Sequence, residues 1–291
     1  MTQVKIVEDS IYNDIRITTM QLKFHRFILP EFNTHRMFSR SVASNRAIPT
    51  TKQIETVKNE PAIPVHWGLN QPGMVATEEL DEELVELGRS YWLDGMYFAT
   101  QTASQLSSLG LHKQLCNRVL EPYQWVDVVV TATEWDNFFH LRTADNAQPE
   151  IQLLAKMMQE QYNANTPISR YTHLPYVTQE ERFVHDEPLL MRISAARCAR
   201  VSYKNHDQTD PVLSKDLALY KRLVRDQHLS PLEHVAAAMD SVKGDTGYGY
   251  LSHDSVFSNW RMVTGITHCD RDFYLWSGNF RGWIQLRHMG I

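Results

Sequence analysis

The sequence predicts an α+β fold, in which strand-like segments and long helical segments share one chain. Apolar and polar residues alternate over residues 3–7 and 14–24, and this period of two is typical of a half-buried strand. Over residues 77–109 the apolar residues instead keep a helical period, which predicts a helix longer than most in globular proteins. A helix of that length is typical of a bundle or a subunit interface.

The second predicted strand changes register once. Its apolar residues keep a period of two on either side of one shift, at Ile15, Ile17, Met20, Leu22 and Phe24. A β-bulge within this strand would produce such a shift. We expect residues 25–30 to continue the strand and residues 31–46 to turn helical around a basic cluster.

Residues 47–78 are predicted to be irregular, because they contain four prolines and two glycines. A loop of this length is uncommon unless it has a function, so it is either a lid or a surface excursion. The long helix that follows is expected to begin near Thr77, where acidic residues crowd the first turns, and to end at Gly110.

Further elements follow in both halves of the chain. Residues 125–133 are rich in valine and threonine and predict a strand, whereas residues 189–203 fit either a strand or a short helix. Helices are also predicted over residues 112–118, from the capping residue Thr133 onward, and over residues 149–162 and 216–226, with a loop over residues 243–255. The polar segment 163–188 separates block 1–162 from block 189–291, and we expect the two blocks to form one compact catalytic unit.

Composition excludes several classes of protein. The formal net charge of -5 argues against binding a nucleic acid polymer by bulk electrostatics. The three cysteines are far apart, and the histidines lack tight ligand spacing, so neither a disulfide framework nor a metal site is expected. The sequence has no signal-peptide core and no run of the roughly 20 apolar residues that cross a bilayer. We therefore expect a cytoplasmic protein without a membrane partner.

A basic cluster over residues 34–46 has the composition of an anion site. It holds three arginines, one histidine and four hydroxyl side chains without a carboxylate. Guanidinium groups match phosphate oxygens two at a time, and hydroxyls supply further hydrogen bonds. The alternative is a solvated basic turn.

Three further arginines lie within apolar sequence: Arg118, Arg142 and Arg287. A partly buried guanidinium needs an anion, because burying it unpaired is costly. That anion is either a bound phosphate or an internal carboxylate. The common phosphate loops GxxxxGK[ST] and GxGxxG are absent from the sequence, as are HExxH and GxSxG.

The spacing Arg36, Ser44, Arg46 resembles the RHRx7SxR signature of the flavin-dependent thymidylate synthases, the ThyX family. Residues 118–122 resemble the arginine that precedes Leu-Pro in that family. Asn137, Arg142 and residues 147–151 resemble its N…LR…AQxEI segment. These matches run from about residue 15 to about residue 158.

The second half resembles segments that come first in ordinary members of the family. Residues 195–203 resemble the AARxS segment, and residues 228–234 resemble HxSPFEH. The chain is therefore similar to a circularly permuted member of phage type, for which the host cytoplasm is the expected location. Residues 285–288 resemble a second, partial QxxRH.

The resemblance implies an antiparallel sheet packed with long helices, in permuted segment order. It also implies methylation of dUMP at C5, with one carbon from methylenetetrahydrofolate and a hydride from reduced FAD that NADPH regenerates. No cysteine attacks the base in that chemistry. Members are homotetramers with sites between subunits.

The resemblance also assigns the site residues. The nucleotide-binding residues would be Ser44, Arg46, Arg118 and Arg142, of which Ser44 and Arg142 would be catalytic. The cofactor-binding residues would be His35, Arg36, Ser39, Glu233, His234, Arg287 and His288.

Three positions depart from the family pattern in the region that holds FAD: Thr34, Ser41 and Val42. Arg287 and His288 are the candidates to replace the missing groups. One alternative is a flavin-independent hydroxymethylase, in which water captures the methylene carbon on dUMP or dCMP. The other is a non-catalytic nucleotide-binding protein.

Overall fold

The computed structural model describes residues 1–201, 212–244 and 262–290. The strands are β1 (Gln3–Tyr12), β2 (Ile15–His25), β3 (Ser39–Val42), β4 (Trp125–Ala132), β5 (Ile168–Ser169), β6 (Thr172–His173), β7 (Ala236–Ala238), β8 (His268–Cys269), β9 (Leu275–Ser277), β10 (Phe280–Arg281) and β11 (Trp283–Gln285). The α-helices are α1 (Leu29–Asn33), α2 (Thr50–Asn59), α3 (Glu82–Ser108), α4 (Lys113–Cys116), α5 (Asp136–Arg142), α6 (Pro149–Ala164), α7 (Gln179–Val184), α8 (Glu187–Ala199) and α9 (Leu213–Arg225). The predicted α+β class is confirmed.

Strands β1 and β2 form the hairpin at the centre of the largest sheet. Asn13 and Asp14 connect them with φ angles of 47° and 59°, which a two-residue type I′ turn requires. The sheet has the order β3-β4-β2-β1-β5, and its strands pair antiparallel except at β1 and β5. Each of β1 and β2 therefore has neighbours on both sides.

The predicted bulge in β2 was wrong. The pairing of β1 with β2 shifts between Ile6 and Glu8, so the extra residue is Val7 of β1, while β2 pairs with β4 without interruption. The apolar pattern of β2 changes because the two faces of the strand are covered at different ends. Ile15 and Ile17 pack under the C-terminal strands, and the later apolar residues pack under α5 and α6.

The main core lies between the sheet and helices α1, α5 and α6. It is rich in aromatic side chains that contact one another edge-on or at a tilt, including Phe24, Phe32, Phe38, Trp135 and Phe138. Burying one such side chain stabilises the fold by about 1.5–3 kcal/mol. Phe38, directly before β3, and Val42, at the end of β3, both pack on this core.

The opposite face of the sheet is covered by a small sheet of order β11-β7-β6. Trp283 is buried there, and its indole N–H donates to the carbonyl of Ile15 at 3.1 Å. Gly282 has φ 68°, and a Cβ at this position would lie 2.6 Å from Ile15 Cδ1. The residues that follow the proposed boundary segment thus pack directly on the N-terminal hairpin.

A buried ion network joins α7, α8 and α9. Asp216 accepts from Arg197 Nε at 3.1 Å and from Arg200 Nη2 at 2.5 Å, and Arg197 also pairs with Glu181. Residues 187–199 form helix α8, which decides between the strand and the helix predicted over residues 189–203. Ser202, Tyr203 and most of the loop predicted over residues 243–255 lie outside the described residues.

Several local predictions were wrong around the basic cluster. His25 is the last residue of β2, whereas residues 26–30 leave the sheet, because Arg26–Ile28 form a 3-10 turn and α1 follows. Residues 39–42 form an edge strand paired with β4 rather than a helix. Residues 50–59 form α2, whose apolar side chains pack with α3 and the Asn117–Tyr123 turn.

Two predicted helix starts moved, and one predicted helix is shorter. Asp81, not Thr77, caps α3 by accepting from Leu84 N at 2.9 Å, while the predicted end at Gly110 is confirmed by its φ of 82°. Thr133 does not cap α5, because its hydroxyl accepts from Arg281 N at 3.1 Å. The helix predicted over residues 112–118 is confined to Lys113–Cys116 and then tightens into a 3-10 turn.

The helices predicted at residues 149–162 and 216–226 and the strand at residues 125–133 are confirmed within a few residues. No helix in the described part of the chain is long and apolar enough to cross a membrane.

Candidate active site

The basic cluster is divided by strand β3. Residues 34–38 precede the strand and contact α5, whereas residues 43–47 follow it and contact the Asn117–Tyr123 turn. Because β3 has four residues at about 3.3 Å each, its two ends are separated by on the order of 13 Å. We call the group before β3 the His35 cluster and the group after it the Ser44 turn.

The His35 cluster brings together two predicted site residues. Arg142 Nε donates to His35 Nε2 at 2.9 Å, and Arg142 Nη2 donates to Thr34 Oγ1 at 3.3 Å. His35 packs edge-on against Phe138, with ring centroids 4.8 Å apart. Burial, together with the charges of Arg142 and Arg40, lowers the pKa of His35 to about 4. The imidazole is therefore neutral and able to accept from Arg142.

Three arginines of the cluster and its surroundings remain available for an anion. Arg36, Arg46 and Arg142 form no ion pair with any residue that the structure describes. Arg118 and Arg287, in contrast, have internal partners: Arg118 lies 2.8 Å from Glu121, and Arg287 pairs with Glu233. The salt-bridge alternative is thus confirmed for these two.

Glu121 organises the Ser44 turn. Its Oε1 accepts from Arg26 Nε at 3.2 Å, from Asn45 Nδ2 at 2.9 Å and from Arg118 Nη1 at 2.8 Å. The hydroxyl of Ser44 accepts from Arg46 N at 3.3 Å and closes the turn. Glu121 and Asn45 were not predicted as site residues, although Glu121 lies inside the segment that suggested Arg118.

A pocket of about 640 Å³ opens beside the Ser44 turn. Helix α2 forms one wall, and the first residues of β4 together with the end of β2 form the other. Its lining combines cations, polar groups and aromatic rings, including Lys23, Arg26, Lys52, Ser44, Asn45, Tyr123 and Trp125. Lys23 pairs with Glu60 and Arg26 with Glu121, whereas Lys52 has no ion pair with a described residue. Such a lining suits a phosphorylated planar ligand.

A third group gathers around the start of β3. Ser39 Oγ donates to Asn279 Oδ1 at 3.0 Å and lies 3.1 Å from Gln285 Nε2, which also donates to the carbonyl of Glu233 at 3.3 Å. Glu233 and Arg287 therefore lie close to the His35 cluster, and Arg40 is close enough to Glu233 for their charges to interact. His288 follows at the same C-terminal turn and is half-buried. Asn279 and Gln285 had no sequence signal beyond the partial QxxRH.

His234 is completely buried, and both of its ring nitrogens have partners. Nδ1 lies 2.8 Å from Thr131 Oγ1, and Nε2 lies 3.0 Å from Ser41 Oγ. Ser39 is likewise buried. Both are thus occupied by protein groups, whereas Arg36, another predicted cofactor residue, is exposed.

The segment that resembles AQxEI borders a smaller pocket of about 380 Å³. Glu150 is buried there and accepts from Val65 N at 2.9 Å, which ties the irregular segment after α2 to α6. The alternatives of a lid and a surface excursion for that segment both stay open. The described residues contain no group of three or more metal-ligating side chains.

Comparison with known proteins gives one family match. The model of the family described as thymidylate synthase complementing protein matches residues 10–168. A search of curated proteins found no match.

Solved structures with a similar chain include two kinds of nucleotide enzyme. The UMP/dUMP methylase PolB from Streptomyces cacaoi, bound with 5-Br dUMP, shares 13% identity, and the match covers 56% of this chain and 90% of that chain at a TM-score of 0.46. The flavin-dependent thymidylate synthase ThyX from Helicobacter pylori, complexed with FAD and dUMP, shares 20% identity over 50% of this chain and 70% of that chain at a TM-score of 0.36. Because the family model matches more than half of the sequence, the chain belongs to the thymidylate synthase complementing protein family, that is, to the ThyX proteins.

Proposed function

We propose that the protein transfers a one-carbon unit to C5 of a pyrimidine deoxynucleotide, with dUMP as substrate and methylenetetrahydrofolate as carbon donor. Membership of the ThyX family supports pyrimidine C5 methylation. The observation that carries the proposal for this chain is the pocket beside the Ser44 turn, lined by cations and aromatic rings next to two family motifs.

The cations around this pocket suit a nucleotide monophosphate. Lys52 lines the pocket and Arg46 belongs to the adjacent Ser44 turn. Neither has an ion pair with a described residue, so a phosphate need not displace an internal carboxylate from them. Ser44 presents a hydroxyl at the same turn. In the proposed reaction, arginines also stabilise the negative charge that develops on the uracil carbonyl as C5 becomes nucleophilic.

We assign the FAD side of the reaction to the His35 cluster. Arg36 and Arg142 are cations without a carboxylate partner in the described chain, and Thr34 adds an exposed hydroxyl, so these residues fit a diphosphate group. When bound, FAD supplies the hydride that converts the methylene carbon to methyl, and NADPH would reduce it. Glu233, Arg287 and His288 border this region, whereas the buried Ser39 and His234 would support it without touching the cofactor.

One observation favours the flavin-independent alternative. Ser41 and Val42 occupy positions where the family has ligand-holding side chains. The Ser41 hydroxyl is engaged by His234, and Val42 packs on the main core. A hydroxymethyl product on dUMP or dCMP would follow if water, rather than hydride, captured the methylene carbon.

We also propose that the catalytic unit is a homotetramer. The His35 cluster and the Ser44 turn lie at opposite ends of β3, so residues from another subunit could complete each site. The long helix α3 exposes apolar side chains along its length: Leu84, Leu87, Tyr91 and Phe98. Blocks 1–162 and 189–291, with residues 163–188 between them, would act together in each subunit.

The nucleotide site can be tested by titrating dUMP into wild-type protein and into two lysine variants of α2. Lys52 lines the pocket, so Lys52→Gln should weaken dUMP binding about 10-fold, because one charge-assisted hydrogen bond contributes about 1.5–3 kcal/mol. Lys58 lies on the same helix outside the pocket, and Lys58→Gln should bind dUMP like wild type. Equal affinities in all three proteins would contradict the assignment of the phosphate site.

A further inference from the structure

A continuous chain of hydrogen bonds crosses the largest sheet on the face covered by β6, β7 and β11. It runs through Glu8, Ser10, His173, Thr19, Thr131, His234 and Ser41, with successive distances of 3.4, 2.9, 2.7, 2.6, 2.8 and 3.0 Å. All members from Ser10 to Ser41 are buried. The hydroxyl groups come from β1, β2, β4 and β3, and the two histidines come from the layer that covers them.

Glu8 sets the direction of this chain. A carboxylate only accepts, so Ser10 must donate to Glu8 and can accept from His173 Nδ1–H. Arg182, at 2.9 Å, and Arg170, at 3.7 Å, hold Glu8 as a carboxylate against the burial that raises its pKa. The direction of the hydrogen bond between Ser10 and Glu8 is therefore set by a carboxylate at the end of the chain of hydrogen bonds.

Each neutral imidazole and each hydroxyl has one proton to donate, so the direction of one hydrogen bond fixes the direction of the next. His173 Nε2 accepts from Thr19, which accepts from Thr131. Thr131 in turn accepts from His234 Nδ1–H, and His234 Nε2 accepts from the Ser41 hydroxyl. Both histidines are neutral, because burial lowers the pKa of His234 to about 3 and that of His173 well below its usual value.

Ser41 lies on an edge strand that pairs on one side only. Strand β3 has four residues and pairs only with β4 within the sheet. Few backbone hydrogen bonds therefore hold this strand in place. The Ser44 turn follows two residues after Ser41. A bond from Ser41 into the covering layer therefore restrains the strand at a point next to the proposed nucleotide site.

We propose that His234 and His173 are positioning residues, which hold β3 and the Ser44 turn through a hydrogen-bond chain whose direction is set at Glu8. The chain makes Ser41 a donor toward His234 and leaves its lone pairs as acceptors. The effect on nucleotide binding rests on the proposed function, whereas the direction of the chain does not.

The direction can be read from nitrogen NMR of the full chain with labelled histidines. At neutral pH both His173 and His234 should be neutral with the proton on Nδ1. An Nε2–H tautomer at either buried histidine, or a charged ring, would overturn the proposal.

Thr131→Val and Thr131→Ser distinguish the effect of the hydrogen-bond chain from the effect of side-chain packing at this position. Valine keeps the shape of threonine without the hydroxyl, so it cuts the chain between Thr19 and His234, whereas serine keeps the hydroxyl. In Thr131→Val, His234 loses its acceptor at Nδ1 and should switch to the Nε2–H tautomer, while His173 stays Nδ1–H because Glu8 still directs it. In Thr131→Ser both tautomers should match wild type.

Nucleotide affinity provides the second readout. Thr131→Val should weaken dUMP binding about 10-fold relative to Thr131→Ser, with flavin affinity equal in the two variants. If both variants bind dUMP equally, the positioning role is contradicted even where both lose stability. If wild-type protein has the predicted tautomers but binds no dUMP, the proposed function is contradicted, while the direction of the hydrogen-bond chain is confirmed.

Discussion

The contact between Arg142 and His35 joins two residues that are more than one hundred positions apart in sequence and that both came from family-like motifs. His35 accepts from Arg142 only while it is neutral, and burial keeps its pKa far below neutrality. The bond orients the guanidinium while leaving the arginine without a carboxylate partner among the described residues. An arginine that is oriented in this way, but not neutralised by a carboxylate, can bind an anionic ligand.

Replacing Arg142 tests this role at the scale of one side chain. Arg142→Gln should lower kcat/KM for dUMP by about 10- to 100-fold, since a hydrogen bond to a charged group contributes about 1.5–3 kcal/mol. Arg89→Gln, at an exposed position of α3 outside all of the clusters, is the matched control and should retain wild-type kinetics. Steady-state assays that find the two variants equal would remove Arg142 from the site.

Among the elements, the C-terminal strands pack against the start of β2. Gly282 makes that approach possible, because its φ is positive and no Cβ fits beside Ile15. Gly282→Ala should therefore lower the free energy of unfolding by more than the roughly 1–2 kcal/mol of left-handed strain alone. Urea unfolding measures the difference.

Gly110 supplies the control for that substitution. It also has a positive φ, 82°, but no described atom lies within 4 Å of where its Cβ would be. Gly110→Ala should thus show the conformational strain without the clash. If both alanine variants lose the same stability, the C-terminal strands do not pack on β2 as described.

The elements with a clear period were predictable, and those defined by distant partners were not. α3 and α6 follow their period of 3.6, and β2 follows a period of two on either side of its one register change. β3 has no such signal, because its inward positions are the serines Ser39 and Ser41, which are satisfied by Gln285 and His234. The very short strands β5, β6, β7 and β11 are fixed by pairing with distant segments, which leaves no local pattern.

The same limit applies to the site. The arginines and Ser44 were found because their spacing resembles a family signature. Glu121 binds Arg26, which is 95 residues away, and His234 binds Ser41, which is 193 residues away. Sequence patterns suggested the arginines that we propose to bind ligands, but they did not reveal which distant residues hold the motif residues in place.

At the scale of the whole molecule, β3 contacts three segments that lie far apart in the sequence. Its start meets Asn279 and Gln285 through Ser39, its middle meets the SPLEH segment through His234, and its end leads into the Ser44 turn. The two halves of the chain therefore meet at one strand. The permuted order of the segments remains a prediction, and this meeting point shows how residues from both halves reach one region.

The most direct test of the central claim is mass spectrometry of the nucleotide after incubation with dUMP, methylenetetrahydrofolate, FAD and NADPH. We expect a product heavier than dUMP by one CH2 group, with the new carbon on C5, and no such product when FAD is omitted from flavin-free protein. A hydroxymethyl product formed without FAD would contradict the reductive step and support the alternative. An unchanged nucleotide in every mixture, and likewise with dCMP, would contradict one-carbon transfer altogether.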